Sequence, residues 1–209
     1  MDRQAIRALA LAVLLVGHSA TAGLQIPGRR HPLVQAAFGT ALAAVVRTPS
    51  GLRTPVLRDG IRWGAGAAAV AVAGVAVTTA LPAVRAGMIA RTLPRPGWKW
   101  LMVEIPLGTV WFEETAYRVA LGDVAAAGFG PRCGRLFQAL AFGVSHVADA
   151  RATGDPVVGT VAVTGAAGWV FGWLAHRSGG AMAPMLAHLA LNEAGAVAAR
   201  WVQQRASVI

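Results

Sequence analysis

The chain has 209 residues, 56% of them hydrophobic and only 13% charged, with a mean hydropathy of +0.54. A soluble domain carries about 25% charged residues, so this is the composition of a membrane protein, and no polar stretch is long enough for a separate soluble domain. The net charge of +10 comes from Arg residues that punctuate apolar runs and form no basic stripe with interleaved aromatics, which suits loops facing anionic headgroups and argues against nucleic-acid binding.

The first apolar run, residues 5–26, has a charged start and small residues at Gly17–Gly23, so it carries features of a signal peptide. More spans follow, and the reading favoured is a retained signal anchor. Residues 32–46 form a second run of about 22 Å as a helix, short for a core of about 30 Å. Tilt, local thinning or tight pairing with the first span would accommodate it. A broken loop with Arg47, Pro49, Gly51, Arg53, Pro55 and Arg58 leads to a strong span at 63–84, flanked by Trp63 and Arg85.

The next loop ends in the interfacial pair Trp98 and Trp100. Four further spans are predicted at 100–126, 136–149, 157–175 and 181–202, the last two joined by a tight turn at Ser178-Gly179-Gly180. Gly168 and Gly172 have the spacing that lets another helix approach closely. The fold class is therefore all-α, a transmembrane bundle of six to seven helices in one membrane domain. Residues 1–97 supply spans without motifs, and 98–203 hold the motif-bearing helices. Basic loops on both sides of the 63–84 span leave the orientation open.

Cys133 is the only cysteine, which excludes an intrachain disulfide and a thiolate metal cluster. Between Arg132 and Arg135 it reads as a residue at a helix entrance, not as a nucleophile. Arg is used almost to the exclusion of Lys, alongside abundant Ala, Gly and Val, which points to a GC-rich bacterial genome and hence to a bacterial plasma membrane.

Within these spans several polar residues stand out. Glu113, Glu114 and Arg118 interrupt the fourth long run, where each charge costs roughly 2.5–3.5 kcal/mol at mid-bilayer. Glu114 and Arg118 are four apart with Glu N-terminal, the better orientation for a helical ion pair. Glu113 is left over and faces elsewhere. His146 ends the stretch Phe142-Gly-Val-Ser-His146, and His188 and Asn192 share a face at i, i+4 on the last helix. Each could be a packing donor, but depth groups them. At 1.5 Å per residue, Glu113, His146, His188 and Asn192 fall in one layer roughly 14–20 Å from one membrane face. They are expected to converge on one water-accessible cavity.

At these residues the sequence resembles the CAAX-processing and bacteriocin-processing (CPBP) family of intramembrane proteases, also called type II CAAX prenyl endopeptidases or Abi proteins. The family pattern stands here as Glu113-Glu114-Thr-Ala-Tyr-Arg118, Phe142-Gly-Val-Ser-His146 and His188-Leu-Ala-Leu-Asn192, led into by HRSGGAMAPMLAH. The resemblance covers the chain from Trp98 onward. It implies an intramembrane endopeptidase in which Glu113, Glu114, His146, His188 and Asn192 are catalytic, and in which Glu114 and Arg118 form an ion pair.

The substrate so implied is a membrane-associated protein or peptide, lipidated or CAAX-like, met within the lipid bilayer. Water activated by Glu and His is the reading favoured, with no cofactor. The alternative is zinc held by Glu113, His146 and His188, although no HExxH is present. Two other functions keep the same scaffold or charges: a non-catalytic binding or bacteriocin-immunity protein, and a small transporter. Ser145 abuts His146, unlike the separated serine and histidine of a rhomboid-type protease.

Overall fold

The computed structural model describes residues 2–24 and 26–207; Gln25, near the end of the first predicted run, lies outside them. The chain is an all-α membrane bundle with no strand among the described residues. Its helices are α1 (Arg3–Ala20), α2 (Pro32–Val46), α3 (Val56–Thr79), α4 (Pro82–Ala90), α5 (97–129), α6 (Pro131–Ser145), α7 (Val147–Thr153), α8 (Val157–Ser178) and α9 (Met182–Ala206). By length and composition, three segments can cross a membrane: Arg3–Gly23, Val56–Thr79 and Val157–Ser178.

Local chemistry explains most of the boundaries. Pro32, Pro82 and Pro131 each open a helix at its first turn, where the missing N–H costs nothing. Leu81, held extended by Pro82, ends the predicted 63–84 span early, so that run becomes α3 followed by the short α4. The predicted 136–149 span is likewise two helices. It breaks at His146, whose ψ of 2° leaves the helical well. Gly179 adopts φ +77°, a left-handed closure of α8 that makes the expected tight turn.

Most of α5 departs from ordinary α geometry. Trp100–Trp111 and Glu114–Leu121 follow the wider i→i+5 pattern of a π-helix. Pro106 lies inside the first of these stretches. It cannot donate to the ladder and its ring crowds the preceding turn, and both effects favour a wider winding. Such widened turns recur at functional sites.

Small residues let the helices approach. In lipid, association rests on close packing and interhelical polar contacts instead of apolar burial. Gly168 of α8 faces Phe142 and Ala139 of α6, and a Cβ there would come within 2.8 Å of the Phe142 ring. Gly143 returns the contact against the Val161 carbonyl oxygen. The expected Gly168–Gly172 close face thus exists, with α6 as its partner. A second pair, Gly60 and Gly64 of α3, meets Met182, Ala183 and Leu186 of α9. On α1, Ala5, Ala8, Ala12 and Leu15 form a buried stripe, and Gly128 of α5 packs against the Ala5 backbone. The central cluster gathers Leu15, Phe112, Ala116, Tyr117, Leu121 and Phe142 from three helices.

Candidate active site

Glu113 and Glu114 are adjacent at the middle of α5 and both reach the same imidazole. His188, seven residues into α9, has Nδ1 at 2.7 Å from Glu114 Oε1 and Nε2 at 3.7 Å from Glu113 Oε2. An ionised carboxylate only accepts, so Nδ1–H donates to Glu114, and this bond fixes Nε2 towards Glu113. The Phe171 ring of α8 stacks on the imidazole at 4.9 Å and 21°, holding its plane.

Glu114 is shared. Its other oxygen, Oε2, lies 3.2 Å from Arg118 Nε, an ion contact without hydrogen-bond alignment, and both side chains are fully buried. The expected i, i+4 pair is therefore present, but Glu114 is not consumed by it. The Arg118 guanidinium lies over Phe142 at 4.0 Å and near Phe171 at 5.1 Å, so aromatic faces supply part of the stabilisation that water would give. Glu113 differs: its side chain keeps 18% exposure, and its Oε2 has no hydrogen-bond partner. One carboxylate is committed to two partners, while the other leaves an oxygen without a hydrogen bond.

His146 joins this group through an aromatic neighbour. Its Nδ1 lies 2.8 Å from the Phe142 carbonyl oxygen, one turn back, and 3.3 Å from Ser145 Oγ. Donation from Nδ1–H to that carbonyl leaves Nε2 unengaged. The Phe142 ring meets His146 at 4.7 Å, Tyr117 at 5.1 Å and His188 at 6.3 Å. All three side chains therefore surround one ring, though no ion contact joins His146 to either glutamate among the described residues.

Asn192 stands one turn beyond His188 on α9. It makes no hydrogen bond among the described residues, and it lines a cavity of about 500 Å³ with Trp100, Thr109, Arg91 and Asp155. Glu113, His146 and His188 do not line that cavity. The i, i+4 rule places Asn192 one turn from His188 but does not say which gap between helices it enters. Of the four groups expected to converge, Glu113 and His188 meet directly, His146 shares the Phe142 ring with His188, and Asn192 lines the neighbouring cavity.

Zinc would require three protein donors within about 2.0–2.3 Å of one point. Among the described residues no three His, Cys, Asp or Glu side chains are so disposed. His188 Nδ1 is taken by Glu114, and His146 Nδ1 faces a carbonyl. The trio Glu113, His146 and His188 does not fit the ion in this arrangement.

Residues 95–194 match the family model for type II CAAX prenyl endopeptidases of the Rce1-like kind. The resemblance to this family is carried by that stretch, just under half of the chain. The matched stretch begins just before α5 and ends within α9, and it contains every motif position from Glu113 to Asn192. The family is one of membrane proteases acting on membrane-associated proteins. No curated protein and no solved structure matches the chain.

Two contributors were not singled out from sequence. Phe171 looks like any aromatic on an apolar helix, and only its stacking on His188 and its nearness to Arg118 give it a role. Tyr117 sits inside the Glu-Glu-x-x-x-Arg motif, and the signal was available: it is the only tyrosine of the chain.

Proposed function

We propose that the protein hydrolyses a peptide bond of a membrane-bound protein or peptide with a lipidated or CAAX-like tail, in a bacterial plasma membrane, by means of a water activated by Glu113 and His188 without a metal. One observation carries the reading: Arg118, Glu114, His188 and Glu113 form a continuous chain that ends in an unpartnered carboxylate oxygen facing His188 Nε2 at 3.7 Å. A water meeting Glu113 at its partly exposed face would lie within one-water reach of His188 Nε2.

In the reaction Glu113 accepts a proton from this water as the oxygen attacks the carbonyl carbon. The tetrahedral intermediate then expels the amine as the C–N bond breaks. The proton held by Glu113 passes to the leaving nitrogen, directly or through the unengaged Nε2 of His146. The products are one carboxyl terminus and one amino terminus, and Glu113 is regenerated. Glu114 holds His188 in a single tautomer, and Arg118 lies against the other Glu114 oxygen at 3.2 Å. A carboxylate orienting a histidine is a recurrent device for fixing which nitrogen reacts.

The test is comparative proteomics of membrane fractions from cells producing the wild-type protein and Glu113→Ala. A peptide terminus present only with the wild type is expected. Identical termini in both would overturn the protease reading.

A further inference from the structure

The hairpin of α1 and α2 runs beside α5 but stops short of the end where α5 begins. Ala5 packs on Gly128, the His18 ring meets Phe112 at 5.5 Å, and a Cβ on Gly108 would lie 3.4 Å from Pro32 Cα. Along α2, Trp111 Nε1 donates to Thr40 Oγ1 at 2.9 Å and Thr48 Oγ1 donates to Asp123 Oδ2 at 2.9 Å. This register sets the tip of the hairpin level with Gly108, between Trp100 and Glu113 on α5. At 1.5 Å per residue the tip is about 12 Å inside the level of Trp100 and about 8 Å from that of Glu113.

A tip at that depth should be apolar, yet this one is cationic. Arg30 and His31 are exposed and Arg29 is half-buried. The acid bearing on Arg29 is Asp149 of α7, the helix packed against Thr21–Gly23. An arginine below a membrane face ordinarily stretches its stem to carry the charge up to the interface. Here both arginines fold back onto the end of α1. An Arg29 guanidinium N–H donates to the His18 carbonyl oxygen, and Arg30 Nε donates to the Ala22 carbonyl oxygen at 3.1 Å. A guanidinium has five N–H groups, so each keeps donors to spare. Since these side chains do not rise to the headgroups, the headgroups must descend to them.

We propose that the hairpin tip, from Arg29 to His31, binds the phosphate groups of membrane lipids and holds that patch of the membrane surface below the level of Trp100. Phosphate suits the site because a guanidinium fork pairs with its oxygens bidentately. A lowered headgroup layer brings its water to the level of Phe112, the residue before Glu113. A part of the chain without motifs thereby acquires a lipid contact of its own.

The experiment uses the full chain in the Cys133→Ser background, reconstituted in vesicles of phosphatidylcholine and phosphatidylglycerol. One nitroxide label is attached at His31→Cys or at Met102→Cys, the latter an exposed site on α5 nearer the membrane face than Gly108. Power-saturation EPR compares collisions with a water-soluble nickel chelate and with oxygen. The label at 31 should meet the chelate several-fold more often than the label at 102, and it should broaden the phosphorus NMR line of the lipids more strongly. Equal chelate access at the two sites would mean that α5 merely projects into water, and a label at 31 that meets only oxygen would place the tip among acyl chains. Either result overturns the assignment.

Charge is tested in the same His31→Cys chain. Arg30→Gln should shift the label towards the acyl zone, whereas Arg30→Lys should leave it in place. No shift with Gln, or broadening that excess inorganic phosphate abolishes, would also overturn a site for lipid headgroups. No turnover enters these measurements, so their outcome is separate from that of the hydrolytic reading.

Discussion

His188 stands between two adjacent glutamates of α5, bonded through Nδ1 to Glu114 at 2.7 Å and facing Glu113 through Nε2 at 3.7 Å. Under the proposed mechanism the two ring nitrogens have separable duties, one holding the structure and one meeting the reacting water. Short amides can separate them. His188→Asn keeps a donor near the place of Nδ1 and should retain the Glu114 contact and the fold, yet lose turnover at least 10²-fold. His188→Gln reaches towards the place of Nε2 but leaves Glu114 without its donor, so it should lower the melting temperature as well. Thermal unfolding in detergent, run alongside turnover, gives the comparison. Equal stability in the two variants would contradict the division.

The glutamates and Arg118 extend the same logic. Glu113 is partly exposed and unpartnered, whereas Glu114 and Arg118 are fully buried together. Glu113→Gln should abolish turnover with little change in yield. Arg118→Ala should strand a buried carboxylate, at about 3–5 kcal/mol for a broken buried pair, and appear as poor yield and a lower melting temperature. If both variants lost folded protein equally, the glutamates would not differ in role.

Much of this site could be read from the sequence because charge is conspicuous in an apolar run. The pairing of Glu114 with Arg118 followed from helical spacing alone. The bond from Glu114 to His188 could not, since it joins residues 74 apart in the chain and no local periodicity reports it. The break at His146 also escaped, because an apolar run through Phe142 to Val147 looks continuous. In the structure, Ser145 Oγ and His146 Nδ1 both take the Phe142 carbonyl oxygen, competing with the helical ladder at that turn. The Gly60–Gly64 face is a similar case: Ile61 and Trp63 between the glycines draw attention away from their shared side.

The close packing of α6 on α8 should be needed to hold Phe142, and through it His146. Gly143→Ala would bring a Cβ to 2.6 Å from the Val161 carbonyl oxygen, a backbone atom that cannot swing aside. Activity and stability should both fall, by the order of 1–3 kcal/mol that overpacking costs. Gly195→Ala is the matched control, with no atom within 4 Å of the added methyl, and should be neutral or mildly stabilising. Melting curves of the two variants decide the matter.

Metal dependence is open to direct measurement. With His188 Nδ1 engaged by Glu114 and no convergent trio among the described residues, purified protein should contain well under one zinc per chain by elemental analysis. Prolonged treatment with a strong chelator should leave turnover unchanged. One tightly bound zinc, lost together with activity and restored with it, would require Glu113, His146 and His188 to rearrange around an ion.

Hydrolysis within a bilayer needs water at the depth of Glu113, and the burial pattern along α5 states where water can enter. The Glu113 side chain retains 18% exposure, while Glu114 and Arg118 have none and Tyr117 and Leu121 are sealed in the core. Cysteine scanning from Val110 to Arg118 with a water-soluble thiol reagent should therefore label position 113 above its neighbours. The background must be Cys133→Ser, because that thiol is exposed and would otherwise dominate the signal. Positions 114, 116 and 118 should stay protected, since each faces packed helices. Glu113→Cys removes the proposed base, so labelling measures access alone and is not blurred by turnover. Thinner lipid should raise the rate at 113 more than at 114 if water arrives from a membrane face. Uniform protection across the segment would leave the nucleophilic water without a route, and the hydrolytic mechanism would fail at its first step.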